Sequence, residues 1–155
     1  MSKSIIFGII GLVVIGAVMV FSSYNTIISL DQGAQAKWSQ VETQYQRRMD
    51  LIPNLVATVK GAANFEQTTL DQVVEARAKV TSITVDPTKL DADSIAKYQS
   101  AQGEISSALG RLLVVTENHP TLRATANFKE LQSQIEATEN RIAAARKDFC
   151  HAVQP

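Results

Sequence analysis

WSQVETQYQRRMDLIPNLVATVKG, residues 38–61, is the stretch that decides the fold. Trp38, Val41, Tyr45, Ile52, Val56, Val59 and Ala63 recur at steps of three and four, broken by one gap of seven between Tyr45 and Ile52. That rhythm predicts a long amphipathic helix with one buried stripe. The gap holds Arg47, Arg48 and Asp50, and Pro53 and Asn54 follow just beyond it. A proline inside a helix removes a backbone donor and crowds the carbonyl four residues earlier, here that of Met49, at a cost of about 3 kcal/mol. The apolar rhythm resumes in phase beyond the proline, so a kinked helix is expected rather than a stop. Arg47, Arg48 or Asn54 is expected to satisfy the freed carbonyl.

Upstream, Ile5 to Phe21 (IIFGIIGLVVIGAVMVF) runs without a charge. At helical rise it covers about 26 Å, nearly a hydrocarbon core, and Ser22 to Tyr24 can extend it. Its apolar residues, among them Ile5, Phe7, Ile10, Leu12, Val14, Val18 and Phe21, go all the way round. That suits lipid rather than a soluble core. Phe21 spoils a signal-peptidase site after Ser23, so an uncleaved single-pass signal anchor over residues 1–24 is expected, with Tyr24 at an interface. Lys3 precedes the span and Lys37 is the first basic residue after it. The positive-inside rule then leaves the N-terminus in the cytoplasm and residues 25–155 outside.

Those residues read as helices throughout. Phe65 to Thr84 continues the spacing through Leu70, Val73, Val74, Arg77 and Val80, with Glu75 and Lys79 as an outward pair. Asp86-Pro87-Thr88 breaks it. Asp91 reads as the N-cap of a helix to Glu117 whose stripe is Tyr98, Ala101, Ile105, Ala108, Leu112 and Val115. Gly103 and Gly110 weaken that helix by about 1 kcal/mol each, which predicts a closely packed neighbour. After Asn118-His119-Pro120, Asn127 and Glu130 resemble a capping box. Phe128, Leu131, Ile135, Thr138, Ile142, Ala145 and Phe149 then form a heptad seam. The short connections predict an antiparallel up-down bundle with coiled-coil-like packing. Within it, Arg47 or Arg48 is expected to meet Glu139, beside Asn140 and Arg141, in a polar layer that sets register.

Formal charge is zero over 155 residues, which argues against a nucleic-acid partner. His119, His151 and the single Cys150 have no metal-ligand spacing, and no nucleotide, zinc-protease or serine-hydrolase motif occurs. A non-enzyme without cofactor, metal or small-molecule substrate is expected.

The segments 38–61, EARAKV (75–80) and ENHPTLRATANFKELQSQIEATENRIAAARKDF (117–149) resemble the LemA family. The resemblance implies a bacterial envelope protein, anchored in the inner membrane by its N-terminus and carrying long antiparallel helices, with no catalytic residues. Members usually continue past the aromatic position corresponding to Phe149. Here Cys-His-Ala-Val-Gln-Pro follows, so a shortened C-terminus is expected. The expected function is a membrane-anchored scaffold that self-assembles into a homo-oligomer. The alternatives are an accessory subunit of a membrane protease or signalling kinase, and a membrane-remodelling coat.

Overall fold

The computed structural model describes residues 3–61 and 65–154. It contains five helices and, among the described residues, no strand. They are α1 (Lys3–Lys60), α2 (Gln67–Thr81), α3 (Ala92–Thr116), the short α4 (Pro120–Ala124) and α5 (Ala126–Val153). The chain is all-α, as its spacing predicts.

α1 runs for 58 residues and passes through Pro53 without interruption. Beyond the proline, Leu55 and Val59 are wholly buried. Each stabilises the continued helix by about 1.5–3 kcal/mol, enough together to offset the proline. The freed Met49 carbonyl accepts from Arg77 Nε of α2 at 3.4 Å. The donor is therefore neither Arg47, Arg48 nor Asn54. Arg47 and Asn54 are exposed, and Arg48 points its guanidinium elsewhere. An arginine that shares a stripe with Leu70, Val73 and Val80 reaches across instead.

The long helices form two antiparallel pairs. In the first, α5 returns along α1. Lys37 Nζ lies 3.3 Å from Asp148 Oδ2, and Arg48 meets Glu139 further along. In the second, α3 returns along α2, joined by Lys79 Nζ to Glu104 Oε1 at 2.6 Å and by Arg111 Nε to Gln72 Oε1 at 3.1 Å. Lys79 thus pairs across the hairpin rather than with Glu75. The larger core fills the bundle's middle and far end with Met49, Ile52, Leu55, Ile105, Leu112, Phe128 and Ile135. A second cluster closes the end nearer the N-terminal helix, built from Trp38, Val41, Tyr45, Val85, Ile142 and Phe149. Trp38 meets Phe149 at 5.2 Å and Tyr98 edge-on at 6.2 Å, so one indole ties α1 to α5 and α3. Val56 and Leu131 are half-buried on the margin of the core, and Ala63 lies outside the described residues.

The helix ends follow local chemistry. Asp91 accepts from Ser94 N at 2.8 Å and caps α3. α2 is shorter than its spacing predicts, because Thr81 and Ser82 hydroxyls donate to the Ala78 and Lys79 carbonyls and end it. At α5 the cap is Thr125, whose Oγ1 accepts from Phe128 N, and not Asn127. Pro120 opens α4 just upstream, and the turn from α4 leaves Thr125 as the extended residue before the helix. A β-carbon added at Gly103 or Gly110 would meet nothing within 4 Å. No close neighbour explains either glycine; both lie on an exposed face of α3.

The first half of α1 stands apart. From Gly11 to Gly33 its residues are exposed, as are those at positions 7 and 8; Phe7 is 73% exposed. Leu12, Val14, Val18, Phe21 and Tyr24 are all among them, while the side chains of Ile5 and Ile10 lie outside the described ones. This helix is long and apolar enough to cross a membrane. It passes residue 24 without a break.

Candidate functional site

The seven-residue gap in the α1 stripe is where the structure places its one fully buried arginine. Steps of three and four continue through it as Tyr45, Arg48 and Ile52, so Arg48 occupies a core position at 1% exposure. A guanidinium there must find acceptors, since an unpaired buried charge is costly. It finds them on two other helices. Nη1 donates to Glu139 Oε1 of α5 at 2.6 Å and to Ser106 Oγ of α3 at 2.5 Å. Nη2 donates to the Gln102 backbone carbonyl at 2.9 Å and to Gln102 Oε1. Gln102 and Ser106 are one turn apart on α3, so both face the same guanidinium.

Arg48 also lies 5.5 Å from the centroid of the Tyr45 ring, within cation–π range. Tyr45 in turn meets Tyr98 edge-on at 5.6 Å. Burial pushes the hydroxyls of both tyrosines above their ordinary range, so they stay neutral at physiological pH. Partial burial likewise raises the Glu42 carboxyl. A cavity of about 110 Å³, bordered by Tyr45, Arg48, Gln102, Ser106, Glu139 and Arg146, lies beside the layer. Arg48 Nε, Tyr45 Oη and Gln102 Nε2 are buried without a protein partner. A polar space of this size has room for water to serve them.

Of the residues that the sequence places in this layer, the structure brings together Arg48 and Glu139. Arg47, Asp50, Asn54, Asn140 and Arg141 are exposed, as is Pro53. Asp50 is held by Gln46 Nε2 at 2.8 Å along its own helix. Sequence reading missed Gln102 and Ser106. The available signal was a polar residue beside Ala101 and Ile105 on the buried side of α3, but it names no partner. The seam residues Trp38, Val41, Tyr45, Ile52, Val59, Ile105, Leu112, Phe128, Ile135, Ile142 and Phe149 are all buried. Chemically, the layer takes up one fixed charge with fixed acceptors. It joins α1, α3 and α5 at one level. His119 packs against Phe65 with tilted rings 5.1 Å apart, His151 and Cys150 are exposed, and no metal-holding cluster occurs among the described residues.

Comparison with known proteins gives a consistent picture. Residues 37–155 match the LemA family, so the match begins where α1 enters the bundle. Magnetosome protein MamQ 2 of Paramagnetospirillum magneticum is 27% identical over 143 residues, covering 81% of this chain and 53% of that protein. Magnetosome protein MamQ of Magnetospirillum gryphiswaldense has the same identity and coverage. Protein LemA of Metamycoplasma hominis is 25% identical over 111 residues, 72% of this chain and 47% of that protein. The chain spans about half the length of these curated relatives.

Proposed function

The chain belongs to the LemA family, and from that premise we propose that it is a membrane-anchored, non-enzymatic scaffold that self-assembles into a homo-oligomer. The observation that carries the reading is the continuity of α1. One helix supplies both an apolar segment whose described side chains are uncovered and the central strut of a packed bundle. A rigid connection of this kind transmits the position and tilt of the anchor to the bundle. The Arg48 layer supports the same reading, because the two Nη groups of its guanidinium are spent on holding three helices in register. The open face of α3 around Gly103 and Gly110 leaves room for a helix of a second copy to approach closely.

In this reading the anchor lies in the bacterial inner membrane, and the bundle stands on the periplasmic side. The test is light scattering coupled to size exclusion on the full chain in mild detergent. A homo-oligomer with one defined mass is expected. A strict monomer at micromolar concentration overturns self-assembly, and release of the protein from membranes by alkaline carbonate overturns anchoring.

A further inference from the structure

The charge-free part of α1 is longer than its most apolar core. Between Lys3 and Asp31 no charged residue occurs. That interval of helix rises about 42 Å, the thickness of a bilayer including its headgroup layers. After Phe21 come Tyr24, Ile27, Ile28 and Leu30, all exposed. They spread over a sector of about 160° at helical pitch, broader than the narrow seam that one partner helix covers. The polar residues among them suit an interface. Thr26 Oγ1 donates to the Ser22 carbonyl at 3.0 Å, so its hydroxyl is satisfied within the helix. Tyr24 has the amphipathic ring that favours the headgroup level.

The bundle begins almost where this run stops. Trp38 packs on Phe149, and ten residues further along α1 Arg48 pairs with Glu139, ten residues back along α5. The same register brings Val153, the last residue of α5, level with Ala34. Ala34 and Gln35 are accordingly half-buried, where Leu12 to Gly33 are exposed. Only Asp31 to Gly33, about 5 Å of helix, separates the charge-free run from the covered part. Val153 is 50% exposed at that end, and the loop carrying Val85 and Leu90 packs beside Trp38 there.

We propose that lipid covers α1 through Leu30, with Tyr24 to Leu30 in the headgroup layer, so that the end of the bundle formed by Val153 and the Val85–Leu90 loop rests on the headgroups without a stalk. The inference rests on the membrane-anchor reading and moves the water boundary about six residues beyond residue 24.

The test uses the full chain in a Cys150→Ser background, reconstituted in phosphatidylcholine/phosphatidylglycerol vesicles. Single cysteines at Val18, Tyr24, Ile28, Leu30, Gly33 and Ala36 carry spin labels, and collision with oxygen and with a water-soluble nickel chelate is measured. Nickel accessibility several-fold lower at Ile28 and Leu30 than at Ala36, with a rise at Gly33, is the expected result. Equal nickel accessibility at Ile28, Leu30 and Ala36 overturns the inference while the anchor stands. Exclusion of both reagents together with dipolar broadening at Ile28 and Leu30 puts a second copy there instead of lipid, and also overturns it. Free nickel access at Val18 overturns the anchor itself.

Discussion

Replacing Arg48 by methionine and Glu139 by glutamine, singly and together, measures how far the buried layer holds the bundle together. Arg48 is 1% exposed, whereas the Glu139 side chain is 36% exposed. The two losses therefore differ in kind. Arg48→Met leaves Glu139 free to regain water on its open side. It leaves the Gln102 amide oxygen buried without a donor, at about 1–3 kcal/mol. Glu139→Gln keeps the guanidinium buried and removes its only carboxylate within ion-pair distance among the described residues. That costs about 3 kcal/mol, the lower end for breaking a buried pair because a glutamine oxygen still accepts. Once Arg48 is methionine, Glu139→Gln should cost little, since the charge it answered is gone. The double variant is thus expected to fall short of the summed losses by about 3 kcal/mol. Urea unfolding of the full chain in detergent, followed by far-ultraviolet circular dichroism, gives the four free energies. Additive losses would refute the layer as a coupled unit.

Other perturbations bear on particular links. Pro53→Ala restores a donor for the Met49 carbonyl and should stabilise α1 by about 1–3 kcal/mol; Arg77→Ala, measured by urea unfolding, should then cost less than in the native chain. Gly103→Ala and Gly110→Ala should each stabilise the bundle by about 1 kcal/mol, because the space beside them is open; destabilisation confined to the oligomer would instead place a second copy on that face. Thr125→Ala should lower stability by about 1 kcal/mol while Asn127→Ala leaves it nearly unchanged, which distinguishes the cap from its neighbour in the same unfolding assay. The side-chain and backbone hydrogen bonds from Ser94 hold the Asp91 carboxyl below its ordinary 3.8. Its contribution to stability is present above that value and lost as pH falls through the lowered one. Thermal midpoints of the native chain and Asp91→Asn should therefore differ near neutrality and converge in strong acid.

Much of this molecule is legible one helix at a time. The spacing of Trp38, Val41 and Tyr45, the heptads from Phe128 to Phe149 and the breaks at Pro87 and Pro120 are local patterns, and they suffice for an all-α chain of long helices with an apolar leader. Periodicity says which side of a helix is buried, but not what it is buried against. The gap between Tyr45 and Ile52 therefore reads as an interruption of the stripe. In the folded chain it is filled by Arg48, which counts as polar in any hydropathy pattern yet packs as core. Likewise Gly103 and Gly110 read as signs of a close neighbour and have none, because glycine is also tolerated on an open face.

The residues alone thus determine the class of fold, the order of its long helices and the uncharged length from Ser4 to Leu30, but not the short α4. Which helices pair, that α3 supplies Gln102 and Ser106 to an arginine on α1, and that Arg77 rather than a neighbour serves the carbonyl freed by Pro53 are decided by tertiary structure. The reason is geometric: those contacts depend on the register and rotation of helices far apart in sequence. These are set by the packing of the whole core together and by no single stretch of it.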